Sequence, residues 1–253
     1  MGILLRDEQA SYRANAKGMI FPISDTGLEL LGVFGGDLAA SSRNFAPGKP
    51  AFTPVGNIQV SDNSIVTSGD GGYLQTEMAD PASMTLIAIV KPLEMKPSLL
   101  VSNYQSASQV HSGKTVGASL HLQPFPGDND GLLTPNFERS VTDGSVPIGS
   151  GVFIDNDHPL ATYQFHCARY EASTHLRQVQ NLTSGHSAVW SSETRAPDLG
   201  ERMRIGGGYD NGGFGGRAEL VAVIGMSRAI ADTEMATLYK FWKGYCERRG
   251  IAI

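Results

Sequence analysis

Residues 218 to 242, AELVAVIGMSRAIADTEMATLYKFW, restrict the fold more than any other stretch of the chain. Residues 218 to 226 are almost wholly apolar, so a strand made of them needs cover on both faces. After a break at Ser227 and Arg228, Met235, Leu238, Tyr239, Trp242 and Cys246 recur at i, i+3, i+4, i+7 and i+11, the stripe of an amphipathic helix. Asp232 and Glu234 suit its N-terminus, with Asp232 the expected cap, and Arg248, Arg249 and Gly250 suit its end, which sets the helix at 232–249. A strand with a second sheet on one face and this helix on the other satisfies both halves of the segment.

The rest of the chain has the rhythm of a β protein. MTLIAIVKP (84–92), SLLVSNYQ (98–105), TVGASLHLQP (115–124) and VPIGSGVFID (146–155) read as strands separated by Gly, Asn, Asp and Ser clusters. ATYQFHCARYE (161–171) alternates, with Tyr163, Phe165 and Cys167 on one face and Gln164, His166 and Ala168 on the other. Only 18% of residues are charged, with 30 glycines and 13 prolines among the 253 residues, which suits a loop-rich sandwich better than a helical bundle. A net charge of −5 with no Lys/Arg run argues against nucleic acid as a partner. Cys167 and Cys246 are too far apart in sequence to define a disulfide scaffold or a metal knuckle, and read as buried thiols. MGILLRDEQASYRANAKG has neither a secretory-signal pattern nor a membrane span, so membrane insertion is not expected. Residues 1–26 read as an anchoring or inter-subunit arm whose MIFPISD patch needs burial, and 27–253 as one sandwich domain.

RIGGG (204–208), GGFGGRAELVAVIGM and the following R-x-hydrophobic-x-D-x-E at Arg228, Ile230, Asp232 and Glu234 resemble the C-terminal signature of concanavalin A-like, laminin-G-like jelly rolls. GGYLQTE ahead of MTLIAIVKP extends the resemblance, which covers roughly residues 27 to 249. It implies an all-β jelly-roll sandwich of two antiparallel sheets with a short C-terminal helix. The family hosts lectins, glycosidases and inert scaffolds, so it leaves function open. Copies with an N-terminal arm and no secretion signal resemble bacteriophage and prophage virion proteins.

Candidate chemistry is sparse. A glycosidase needs two carboxylates about 5 to 9 Å apart, and no Glu-x-Asp-x-Glu strand occurs: Glu77 and Asp80 lie in a turn and Glu193 among serines. The six histidines, including His158 and His166, form no His-x-His or His-Glu-x-x-His, and no Gly-x-Ser-x-Gly elbow is present. Acidic loops at Asp128, Asn129 and Asp130 and at Asp155, Asn156 and Asp157 offer hard oxygen ligands that suit calcium, although the same residues favour Asx-turns. Laminin-G-like domains often hold one calcium at a loop rim. A sugar site needs an aromatic platform beside Asn/Asp hydrogen bonders, which points to Tyr209 with Asp210 and Asn211, and to Tyr104 beside Asn103 and Gln105.

The expectation is a non-enzymatic virion protein, associated with a tail or fibre, that binds host-surface glycan alongside other virion proteins. The exposed arm predicts a homo-oligomer, with a trimer the specific guess. A decoration protein of capsid or tail, making only protein contacts, is the structural alternative, and a carbohydrate-active enzyme the catalytic one.

Overall fold

The structure, a computed structural model, describes residues 19–124, 131–210 and 212–253. In chain order its first strands are β1 Leu28–Val33, β2 Thr53–Gly56, β3 Gln59–Val60, β4 Ile65–Ser68, β5 Gly72–Gln75, β6 Met84–Pro92, β7 Ser98–Ser102 and β8 Ala118–Gln123. They are followed by β9 Leu132–Arg139, β10 Val141–Thr142, β11 Pro147–Ile148, β12 Gly151–Phe153, β13 His158–Pro159 and β14 Gln164–Glu171. The last are β15 Leu176–Asn181, β16 His186–Trp190, β17 Ala196–Pro197, β18 Arg204–Ile205 and β19 Arg217–Met226. Helix α1 spans Leu38–Ser41 and α2 Asp232–Glu247.

Every strand pairing among the described residues is antiparallel. The main ladder runs β12-β9-β8-β7-β18-β5-β4-β19-β6-β14-β15-β16, with β1 also on β19. Its two halves join at the β4–β5 hairpin through a single residue pair, Ser68 opposite Gly72. At that hairpin the ladder folds over into two facing sheets. Leu100, Val101, Leu120 and Phe137 of the front sheet meet Leu86, Ala88, Val90, Tyr170 and Val179 of the back sheet in one inner core. The all-β, two-sheet sandwich with a C-terminal helix is therefore the observed architecture.

Period-two alternation assigns the two faces of the back sheet. In β6, Met84, Leu86, Ala88 and Val90 enter the inner core, while Ile87 and Ile89 join an outer cluster with Leu238, Trp242 and Cys246 of α2. β19 does the same, but with a phase change. Ala218 and Leu220 point inward, the register against β6 slips between Leu220 and Ala222, and from there Ala222, Ile224 and Met226 face the helix while Val223 faces the core. The two-sided apolar strand is thus covered by a sheet on one side and a helix on the other.

Two details of the helix differ from the sequence reading. Ala231 occupies the N-cap, and Glu234 reaches back to accept from its backbone N–H at 3.0 Å, which leaves Asp232 to pair with Arg169. Ala231 has no side-chain oxygen, so only that reciprocal half of a capping box is made. The helix ends at Glu247, with Arg248 as C-cap and Gly250 at φ 69. The expected strand at 146–155 is split into β11 and β12.

Of the arm, residues 19–26 are described: Met19, Phe21 and Ile23 pack on the outer cluster, while Ile20 is 90% exposed. Arg228 pins this strap by donating to the carbonyls of Thr26 and Ser24 while its other donors grip Glu234. Both cysteines are free and buried. Among the described residues no helix is long and apolar enough to cross a membrane.

Candidate functional site

Tyr104 follows β7 in a turn fixed from below. Ser102 Oγ accepts from the Tyr104 N–H at 2.8 Å. Next to it, Asn103 is fully buried: its Nδ2 donates to Asp80 Oδ2 at 2.8 Å and its Oδ1 accepts from the Ala118 N–H at 2.6 Å. Asp80 also takes the Gly200 N–H at 2.8 Å and the guanidinium of buried Arg139, so the turn rests on a buried ionic network.

The loop after β18 docks on that turn. The Tyr209 N–H donates to the Tyr104 carbonyl at 2.8 Å. The approach requires Gly208, because a Cβ there would lie 2.9 Å from Leu99 Cδ1 and 3.1 Å from the Tyr104 carbonyl oxygen. Phe214 closes the far end, edge-on to Tyr104 with 5.0 Å between ring centroids and edge-on to His121 at 5.2 Å. Lys114, from the loop before β8, reaches Asp210 at 3.0 Å and holds its carboxyl below the usual range. The sequence candidates Tyr104, Tyr209 and Asp210 therefore share one rim. Asn211 lies outside the described residues.

The structure adds three residues that sequence spacing does not join. Arg204 of β18 lies with its guanidinium 3.5 Å from the Tyr209 ring centroid and 4.5 Å from that of Tyr73 on β5. Gln75, also on β5, accepts from Arg204 Nε at 2.8 Å. Arg204 pairs across the ladder with Gln75 on one side and Ser102 on the other, so these side chains share the outer face of the front sheet. Burial pushes the Tyr209 hydroxyl pKa up, against the opposing charge of Arg204. Its O–H donates to the Arg202 carbonyl at 3.0 Å.

The acidic loops give a different picture. Asp157 is buried and serves as an acceptor hub: Asn181 Nδ2 and Ser184 Oγ donate to its Oδ2, the latter at 2.9 Å, and His186 Nδ1 pairs with its Oδ1. Asn156 turns the chain here with φ 46, and the Asp157 carboxylate is engaged by these protein donors. Asp155 is exposed. Among the described residues no group of three or more His, Cys, Asp or Glu is arranged to hold a metal ion. Asp128 and Asp130 lie outside the described residues.

His158 and His166 form a buried pair, with Nε2 of His166 2.8 Å from Nδ1 of His158 and Nε2 of His158 2.9 Å from the Thr162 carbonyl. The carbonyl can only accept, so His158 carries its proton on Nε2 and His166 donates to the bare Nδ1. That leaves His166 Nδ1 buried with no partner among the described residues.

No family model and no curated protein matches the sequence. Solved structures do match in shape. The botulinum neurotoxin serotype D binding domain superposes with a TM-score of 0.60 at 7% identity over 86% of this chain and 51% of that one. The serotype D ligand binding domain in complex with N-acetylneuraminic acid gives 0.59 at 9% identity over 91% and 53%. A Trypanosoma rangeli sialidase in complex with sialic acid gives 0.50 at 17% identity over 84% and 32%. This chain spans about half the length of the neurotoxin domains and a third of the sialidase. At such identities the likeness carries the fold, a β-sandwich shared with those domains.

Proposed function

We propose that the chain is a non-enzymatic glycan-binding module of a virion, held on a tail or fibre through residues 1–26 and reading host-surface sugar. The observation that carries this reading is the convergence of Tyr104, Tyr209 and Asp210 on one rim, next to Arg204, Tyr73 and Gln75. Aromatic rings offer the apolar face a pyranose stacks on, and the amide, carboxylate and guanidinium serve its hydroxyls. Two of the structures that share the fold hold N-acetylneuraminic acid or sialic acid, which adds support for a sugar ligand. Two of the carboxylates around the rim are paired with cations, Asp210 with Lys114 and Glu77 with Arg202, which favours binding over hydrolysis.

A glycan array followed by calorimetry tests the reading. Tyr209→Ala is expected to weaken the best ligand roughly tenfold or more. Failure to bind any array glycan refutes it, and release of reducing sugar from a bound glycan makes the protein an enzyme. Repeating the titration in chelator tests the calcium expectation for the acidic loops. A decoration role, with protein contacts only, has its own observation: Ile20 stands exposed at the mouth of a 390 Å³ groove lined by Phe21, Leu28, Leu31 and Phe45. Light scattering of the purified chain tests the accompanying trimer, which a monomer refutes.

A further inference from the structure

We infer that the ligand of this rim carries a carboxylate and that Arg204 is the residue that seats it; the inference rests on the glycan-binding reading above. The other cations around the rim are matched, Lys114 by Asp210 and Arg202 by Glu77. Arg204 is the exception. It has no carboxylate within ion-pair distance among the described residues, and its acceptors are the Gln75 amide oxygen and the Gly208 carbonyl.

Those contacts fix the guanidinium without neutralising it. Tyr209 and Tyr73 flank it at 3.5 and 4.5 Å from their centroids, so water is kept from its faces. Gln75 and Gly208 take up Nε and Nη1. Beyond those two bonds the guanidinium has the neutral Tyr209 hydroxyl as a further side-chain partner, and no carboxylate meets its remaining edge among the described residues. A planar cation flanked by two aromatic rings and tied at two nitrogens meets a ligand best at its remaining edge, in its own plane. A planar carboxylate suits that edge. Because the side chain is already immobilised, little rotamer freedom is lost when the ligand arrives. The sugar ring attached to that carboxylate would lie towards Tyr209 and Tyr104. The ligand class is therefore a sugar acid, a uronic or a nonulosonic acid, rather than a neutral hexose.

The test uses the full chain and varies the ligand first. Calorimetry compares trigalacturonic acid with its methyl ester, sialyllactose with its methyl ester, and lactose 3′-sulfate with lactose. The expected result is that at least one acid binds and that its ester binds roughly ten- to hundredfold more weakly, the loss of a charge-assisted hydrogen bond. Arg204→Met is expected to bind acid and ester alike, at the ester's level, and its thermal midpoint reports whether the fold survives. The ester comparison needs no variant, so a misfolded Arg204→Met does not spoil the test. Equal affinity for acid and ester overturns the inference and leaves glycan binding standing, as does a preference for the sulfate or for neutral lactose. No binding to any of the six sugars overturns the inference, and an array that is also blank removes the glycan reading with it.

Discussion

Lowering the pH from 7 to 5 should destabilise the fold through its buried imidazoles. Burial depresses His158 to about 4, against a smaller opposing pull from the Thr162 carbonyl and the Asp157 charge. It depresses His121 likewise to about 4, and holds His166 well below the ordinary range, with the adjacent His158 adding to the effect. The hydrogen-bond chain from His166 to His158 to the Thr162 carbonyl explains why the pair resists protonation. A proton on His158 Nδ1 would set one N–H against another, and a proton on His166 Nδ1 would have no acceptor. In the unfolded chain each imidazole titrates near 6.5. A folded-state value depressed below that means the stabilisation is complete above pH 6.5, drains as pH falls towards 4 and then levels off. Between pH 7 and 5 each such imidazole costs about 2 kcal/mol, so His121 and His158 together remove about 4 kcal/mol. That is a large share of the ~5–15 kcal/mol typical of folded domains. Glu138, raised by burial, works the other way, and the lowered carboxylates Glu219 and Glu234 act mainly below pH 5. Urea titrations at both pH values read the difference. His158→Gln should shrink that difference by about 2 kcal/mol whatever it does to stability at pH 7. The reasoning fails if the wild-type midpoint is the same at pH 7 and 5, or if His158→Gln keeps the full difference.

Other perturbations follow from the same geometry. Gly206 sits at φ +81, and a Cβ there would lie 2.2 Å from Thr67 Cβ, so Gly206→Ala should cost more than about 2 kcal/mol or yield no folded protein; a near-native thermal midpoint contradicts this. Burial raises both thiols, Cys246 to about 11 and Cys167 further, so a thiol reagent should react with neither in the native protein and with both in urea. Trp242 is fully buried against Phe241 and Tyr245, so Trp242→Ala should cost about 3–5 kcal/mol by urea unfolding. In Trp190→Phe the remaining indole, Trp242, should emit in the blue and resist acrylamide.

The parts of the fold that were legible in the sequence are those written in local periodicity. The strand at 218–226, the helix stripe from Met235 to Cys246 and the alternation at 161–171 all depend on neighbours within a few residues. The slip after Leu220 was not legible, because a bulge leaves the composition of an apolar strand unchanged. The site divides in the same way. Tyr104 and Tyr209 could be proposed from their local company, but Tyr73, Gln75 and Arg204 gain meaning only once β5 and β18 pair across roughly 130 residues of chain. The link between His158 and His166 was hidden for a similar reason: it spans from β13 to β14, on opposite sides of a turn. Asp157 was open in the same way. Its loop composition is shared by ligands and turns, and only the fold brings Asn181, Ser184 and His186, from β15, the β15–β16 turn and β16, onto its carboxylate.

The way β1 leans on β19 has a mechanical consequence. Leu28 stands opposite Met226 and Val33 opposite Ala222, so the chain enters β1 beside the point where it leaves β19. Tension applied between the strap and α2 would open that ladder one hydrogen bond at a time, like a zip, instead of loading every bond together. Arg228, bridging Ser24 and Thr26 to Glu234, is the clasp that such a pull would meet first. Hung from one end, the module feels none of this load. Spliced between two anchored segments and stretched, it would peel from its first strand at low force, and cutting the clasp with Arg228→Ala should lower that force further in a single-molecule pulling experiment.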